Sequence, residues 1–413
     1  MGERPVLRDD ARDVGQRDFL DLRRFSRLGE LSGLAAAQQP PWADHMDLEC
    51  IRAELAALPA LVGHRDIGAL GRALGRVAAG EAYVLHIGEC AELFSMATAE
   101  HVARRLALYR RMADHLAGRT GREVVLVLRM AGQHAKPRSR PTETGPDGVE
   151  LPVYRGDAVN DLATDTQARQ ADPWRLLTSY DRSQDTLKHL EAGGGPGRPV
   201  FVSHEALLRD YEEPLTRGGP TLYAAGGHLV WIGERTRDVR DWHVQWAASL
   251  ANPVGVKAGP DISRYDVIDL VRTLDPHGRP GRLTLISRMG AARTGRLDPL
   301  ARAVAQARAP VVWQCDPMHG NTRTWADTKV RLLPDLRAEI DAFVRTLREQ
   351  GCHPGGLHLE VTPDAVHECH EELPTAGSTG RPPCDPRLNA DQALEIVDHF
   401  ADRLTHRPNG DST

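Results

Sequence analysis

The chain has 413 residues, of which 41% are hydrophobic and 26% charged, with a formal net charge of -5. That balance belongs to an ordinary globular protein long enough for one decorated barrel or two medium domains, and it argues against a disordered, collagenous or nucleic-acid-binding chain. Six cysteines are scattered without CxxC spacing, no run reaches the ~18 apolar residues of a membrane helix, and the charged amino-terminal stretch has no apolar core before a cleavage site, so a reducing, cytoplasmic setting is expected.

In chain order, residues 1–35 read as a helical or partly disordered tail, 36–406 as the main domain, and 407–413 as a disordered end. Within the domain, short apolar, β-branched runs predict strands at Tyr83 to Ile87, Val124 to Arg129, Pro199 to Ser203 and Leu229 to Gly233. Four more follow at Val254 to Ala258, Arg282 to Arg288, Pro310 to Cys315 and Leu357 to Val361. Helical periodicity fills most of the gaps, over Ala97 to Ala117, Trp174 to Ala192, Tyr265 to Leu274, Asp298 to Ala307 and Leu333 to Glu349. Strands that are apolar throughout and alternate with helices imply a parallel sheet covered on its outer face. About eight such units imply a closed (β/α)8 barrel with an amino-terminal helical extension. No GxGxxG or P-loop string opens the first unit, which weighs against an open dinucleotide-binding sheet. Arg138 to Pro173 and Thr362 to Asp385 are long and polar, and in a barrel such loops gather on the catalytic face.

Charged and polar residues sit at the carboxyl ends of these otherwise apolar strands. Arg129, Lys136, Arg138, Arg235, Lys257 and Arg288 form a cationic set, the residue types that hold phosphate. Cys90, His319, Glu360 and Asp385 supply one sulfur, one nitrogen and two oxygen donors from separate loops. That mixture suits Mn2+, Co2+, Zn2+ or Fe2+ better than Ca2+ or Mg2+. The run His367-Glu368-Cys369-His370-Glu371-Glu372 lacks HExxH spacing and is expected to be a solvated surface stretch, and Cys50, Cys352 and Cys369 are expected to be structural.

These residues stand inside longer strings: RMAGQHAKPRS (Arg129 to Ser139), LPVYRGDAVN (Leu151 to Asn160), SHEALLRDYEEPLTR (Ser203 to Arg217), WIGERTR (Trp231 to Arg237), NPVGVKAGP (Asn252 to Pro260), GRLTLISRMG (Gly281 to Gly290), WQCDPMHGNT (Trp313 to Thr322), GGLHLEVTPD (Gly355 to Asp364) and CDPRLN (Cys384 to Asn389). In order and spacing, from Gln38 onward, they resemble the type II 3-deoxy-D-arabino-heptulosonate 7-phosphate (DAHP) synthases, and the compact length is most similar to members feeding secondary metabolism. The resemblance implies a (β/α)8 barrel and a metal, Mn2+ or Co2+ foremost, on Cys90, His319, Glu360 and Asp385. It implies that phosphoenolpyruvate lies among Arg129, Glu234, Lys257 and Arg288, that Lys136, Ser139 and Arg235 serve the active site and the erythrose 4-phosphate, and that Trp231 also contacts substrate. Lys136, Glu234 and Lys257 carry the implied catalytic roles, and a homodimer is the implied assembly.

The chain departs from the family pattern at HIGECAE, where Glu89 replaces the usual Asp and His86 stands nearby. It departs again at Thr379 to Pro383, where a tyrosine is usual, and at Ala158. The alternatives carried forward are an amino-sugar variant acting on an imine of the same acceptor and a silent homologue that regulates a partner such as a chorismate mutase. Intact charged positions count against silence.

Overall fold

The computed structural model describes residues 29–42, 44–145, 148–193, 198–218, 221–375, 382 and 384–406. Most of the expected amino-terminal tail, the whole carboxyl-terminal end and, except for Pro382, the stretch Thr379 to Pro383 lie outside the described residues.

All eight apolar runs are strands of one closed, parallel barrel. They are β1 (Ala82–Gly88), β2 (Glu123–Arg129), β3 (Val200–Glu205), β4 (Leu229–Ile232), β5 (Val254–Ala258), β6 (Leu283–Ser287), β7 (Val312–Cys315) and β8 (Gly356–Glu360). Spatial order follows chain order. β8 closes on β1 with Val84 opposite Gly356 and Gly88 opposite Glu360.

The long helices are α1 (Leu48–Ala57), α2 (His64–Ala78), α3 (Ala99–Thr120), α4 (Arg175–Ala192), α5 (Trp242–Ala248), α6 (Arg264–Leu274), α7 (Leu297–Gln306), α8 (Leu333–Glu349) and α9 (Ala390–Thr405). Their ends are written locally. Ser263 and Asn389 build reciprocal capping boxes at the starts of α6 and α9, and Gly121, left-handed at φ 66, terminates α3. α1, α2, α5 and α9 were not singled out by periodicity. Between β3 and β4 a single helical turn (Arg209–Glu212) and a hairpin (Thr216–Gly218 with Leu222–Ala224) replace the usual covering helix, where Pro214 and Gly218 break helical periodicity.

Strand residues alternate between two cores. Leu85, Ile87, Leu126, Leu128, Leu357 and Leu359 pack outward in the cluster shared with the helices. Val84, Val125, Val127, Trp231, Ile286 and Val312 face inward and meet Leu70, Leu74 and Val77 of α2, so this helix plugs the amino-terminal mouth. With that mouth filled by apolar packing, polar groups on the inward-facing positions can gather only toward the other end, where the strands finish.

Candidate functional site

At that end β1, β2 and β8 place the central groups. Gly88 ends β1 against Arg129, and a Cβ there would lie 2.6 Å from the Arg129 carbonyl oxygen, so only glycine permits the approach. Beyond β2 the chain reverses at Ala131 (φ 62) and Gly132 (φ 140), carrying Lys136 back over the rim.

Cys90, Glu360 and Asp385 converge with Sγ and carboxylate oxygens all within 4.8 Å of one another. His319 Nε2 stands 3.1 Å from Glu360 Oε1. Asp316 lies 2.8 Å from Nδ1 of the same ring, so it accepts the Nδ1 proton and leaves Nε2 free as a donor atom. The Asp385 N–H donates to Cys90 Sγ at 3.3 Å, tying the final loop to β1. The donor set therefore fits a borderline divalent ion in its chemistry and convergence.

Cations surround these donors. Arg129 Nη2 lies 3.0 Å from Glu360 Oε1 and Arg331 Nη1 2.7 Å from Oε2. Lys136 Nζ lies 3.3 Å from Asp385 and 3.7 Å from Glu360. Burial alone would raise the Glu360 pKa, but His319, Arg331, Lys136 and Arg129 outweigh it and hold the carboxyl well below its usual range. Asp385 is held down likewise, chiefly by Lys136 against the opposing effect of burial. Burial pushes the Cys90 thiol well above its usual range, with the neighbouring Cys384 adding to the shift. A thiolate here requires a cation at its sulfur. Lys257 pairs with Asp316, and burial nevertheless brings its ammonium down to about 8.

The other expected residues ring the same opening. Arg288 donates to the His319 carbonyl at 3.2 Å, and Arg235 donates to Ser139 Oγ at 2.6 Å. Glu234 accepts from Arg237 at 2.8 Å and from the Gly259 N–H at 2.6 Å, so its carboxylate is braced on both oxygens. Trp231 is fully buried beneath the rim with the Arg129 guanidinium 5.3 Å over its ring.

A family model described as the class-II DAHP synthetase family matches residues 27–198 and 196–401. The chain belongs to that family. A probable phospho-2-dehydro-3-deoxyheptonate aldolase of Pseudomonas fluorescens is 43% identical over 375 residues, covering 88% of this chain and 94% of its own length. Phospho-2-dehydro-3-deoxyheptonate aldolases of Streptomyces coelicolor and Mycolicibacterium smegmatis are 36% and 33% identical over 431 and 443 residues, covering 88% and 92% of this chain and 94% of each relative. The same share of this chain spread over a longer alignment means that the Streptomyces protein carries insertions that this DAHP synthase lacks. The solved phospho-2-dehydro-3-deoxyheptonate aldolase of Francisella tularensis superposes with a TM-score of 0.52 over 90% of this chain and 98% of its own at 12% identity, a likeness of fold alone.

Several groups of this DAHP synthase site escaped the reading from sequence. Arg331 and Lys329 come from a hairpin after β7 (Arg323–Trp325 with Thr328–Leu332), and Lys329 reaches Asp385 Oδ1 at 2.7 Å. Glu205 ends β3 with a buried Oε1 that has no protein partner among the described residues. Asp316, Glu205, His86 and His358 all share the inward parity of Arg129 and Glu360, and that parity was the available signal. The acidic run is a surface stretch only in part, with His367, Glu371 and Glu372 exposed. Glu368 and Cys369 are buried, and Glu368 with Glu89 clamps Arg387 at 2.7 and 2.9 Å, holding the Asp385 loop against β1. Cys369–His370 is a short strand beside Arg331–Leu332.

Proposed function

We propose that this chain condenses phosphoenolpyruvate with D-erythrose 4-phosphate to give DAHP and inorganic phosphate, using a divalent ion, Mn2+ or Co2+ foremost, on Cys90, His319, Glu360 and Asp385. The observation that carries the reading is the convergence of one thiol and two carboxylates within 4.8 Å inside a shell of buried Arg and Lys side chains. When bound, such an ion supplies Lewis acidity toward the acceptor aldehyde.

The chain's own residues do the rest. Arg129, Lys257 and Arg288 hold the phosphate and carboxylate of phosphoenolpyruvate and keep its C3 in reach of the aldehyde carbon. Arg235 and Ser139 receive the acceptor's phosphate. Attack by C3 leaves a cation at C2, water adds there, and the tetrahedral intermediate collapses with loss of phosphate. Glu234, braced by Arg237 and Gly259, orients that water, and Lys136 delivers a proton to the oxygen formed from the aldehyde. The compact length, similar to that of family members feeding secondary metabolism, is the ground for assigning it to a secondary pathway. The working form is taken as a cytoplasmic homodimer, and among the described residues no helix is long and apolar enough to cross a membrane.

The deciding experiment follows phosphoenolpyruvate loss with erythrose 4-phosphate, with and without added Mn2+, and identifies the product by mass. Metal-dependent formation of DAHP is expected. No consumption with or without added Mn2+, at purified protein concentrations that give a clear rate for a known synthase, would end the proposal.

A further inference from the structure

Beneath the rim, the inward positions of four strands carry polar residues that neither metal binding nor substrate contact uses. His86 on β1 and His358 on β8 are register partners. Both are wholly buried, as are Ser203 on β3 and Gln314 on β7. Two imidazoles in the middle of a barrel are costly unless their hydrogen bonds are complete.

The contacts order the protons in turn once the Gln314 amide, 3.3 Å from His86 Nδ1, turns its Nε2, which has no other partner among the described residues, rather than its Oε1 toward that ring nitrogen. Arg129 Nη1 lies 2.7 Å from His358 Nε2. A guanidinium can only donate, so Nε2 accepts and the His358 proton sits on Nδ1. Nδ1 of His358 is 3.0 Å from Nδ1 of His86, which therefore accepts, and the His86 proton sits on Nε2. His86 Nε2 is 2.8 Å from Ser203 Oγ, and Ser203 donates onward to the Leu128 carbonyl at 2.8 Å. Leu128 is the residue before Arg129. The path leaves β2 through the Arg129 side chain, crosses β8, β1 and β3, and returns to β2 one residue earlier. Trp231 backs both rings, with centroids 5.2 Å from His86 and 5.4 Å from His358. With Nη1 held by His358 and Nη2 by Glu360, Arg129 keeps Nε as its nitrogen without a protein partner among the described residues.

We propose that His358 and His86 are positioning residues, a ring of one-way hydrogen bonds that sets the plane of the Arg129 guanidinium from below. The consequence for substrate rests on the reading of Arg129 as a phosphoenolpyruvate ligand, whereas the ring itself does not. Neither histidine touches substrate. Their work is to spare Arg129 the search among rotamers that a long side chain otherwise makes before it binds an anion.

Two measurements test this on the full-length, metal-loaded protein. In protein labelled with 15N-histidine, resonances assigned by their loss in His86→Gln and His358→Gln should identify His358 as the Nδ1–H form and His86 as the Nε2–H form. The opposite form at His358 overturns the ring whatever the enzyme does. In kinetics, His358→Leu should raise the KM for phosphoenolpyruvate by about tenfold or more, the equivalent of one hydrogen bond lost to a charged group. The KM for the sugar phosphate should stay within about twofold, and His358→Gln, which keeps an acceptor, should restore most of the loss. A folded His358→Leu protein with unchanged KM for phosphoenolpyruvate overturns the positioning role. If that variant does not fold, the two ring forms decide. A wild-type protein without condensing activity would sink the function proposed above and leave the labelling result to decide the ring.

Discussion

Replacing Arg331 by Met should destabilise the protein by about 3 kcal/mol, at the lower end of the cost of removing one partner from a buried ion pair. Arg331 is fully buried and makes three bonds: Nη1 to Glu360 Oε2 at 2.7 Å, Nε to Thr322 Oγ1 at 2.8 Å, and Nη1 again to the Pro386 carbonyl. All three are charge-assisted, since the guanidinium is the donor in each, and such a bond is worth about 1.5–3 kcal/mol, non-additively on one group. Against that sum stands the relief of no longer burying a guanidinium whose Nη2 has no partner among the described residues. Glu360 would keep Arg129, Lys136 and His319, so its charge would not be stranded, and this sets the estimate at the low end. The assay is urea unfolding followed by far-ultraviolet circular dichroism, with metal content measured on the same samples. Arg331 also joins the hairpin after β7 to the loop bearing Asp385, so metal content should fall along with stability. The double variant Arg331→Met with Glu360→Gln should lose further stability as well as metal, because Arg129 and Lys136 then lose the carboxylate they share. A Met variant within about 0.5 kcal/mol of wild type, a change typical of neutral surface sites, and with full metal content would refute the account.

Chelation should abolish activity, and Cys90→Ser or His319→Ala should lower both bound metal and rate; full activity in metal-free protein would remove the four-ligand reading. Arg129→Ala and Arg288→Ala should each weaken use of phosphoenolpyruvate by about 2–5 kcal/mol in kcat/KM, and Lys at either position should restore only part of it, because a point charge lacks the planar fork. Burial, with the nearby Asp316 charge, pushes the Glu339 carboxyl up to about 8 despite N–H donors from Met289 and Asn321. Its folded value lies above its unfolded one, so the stability it contributes is complete below about pH 4.5 and is lost as pH rises through about 8. Glu339→Gln should therefore flatten the fall in unfolding free energy across that window, and an unchanged pH profile would count against it. Phenylalanine, tyrosine and tryptophan, alone or in pairs, should inhibit little, since an effector needs its own pocket and a second state to bias; strong inhibition at sub-millimolar concentration would overturn both this and the secondary-pathway assignment.

The barrel was legible because a strand buried on both sides must be apolar along its whole length, and eight such runs separated by helical periods admit few other closed arrangements. The rim set was legible for a related reason. A charge at or near the end of a run such as Val124 to Arg129 or Leu357 to Val361 is out of keeping with its surroundings unless something at the rim uses it. The same reading failed where two elements had to meet. Arg331 and Lys329 lie on a hairpin whose sequence resembles any exposed turn, and only its fold back over β8 buries one and brings the other to Asp385. Glu368 sits in a string of His and Glu that reads as solvated, yet pairing with Arg387 and covering by neighbouring loops make it interior. His86 and His358 are separated by most of the chain, and their inward parity says which face they share but not that their rings meet. Sequence patterns report how a residue suits its own element, through period, charge and cap, whereas the pairing of charges and the direction of each buried proton depend on distances between elements that only closure of the barrel sets.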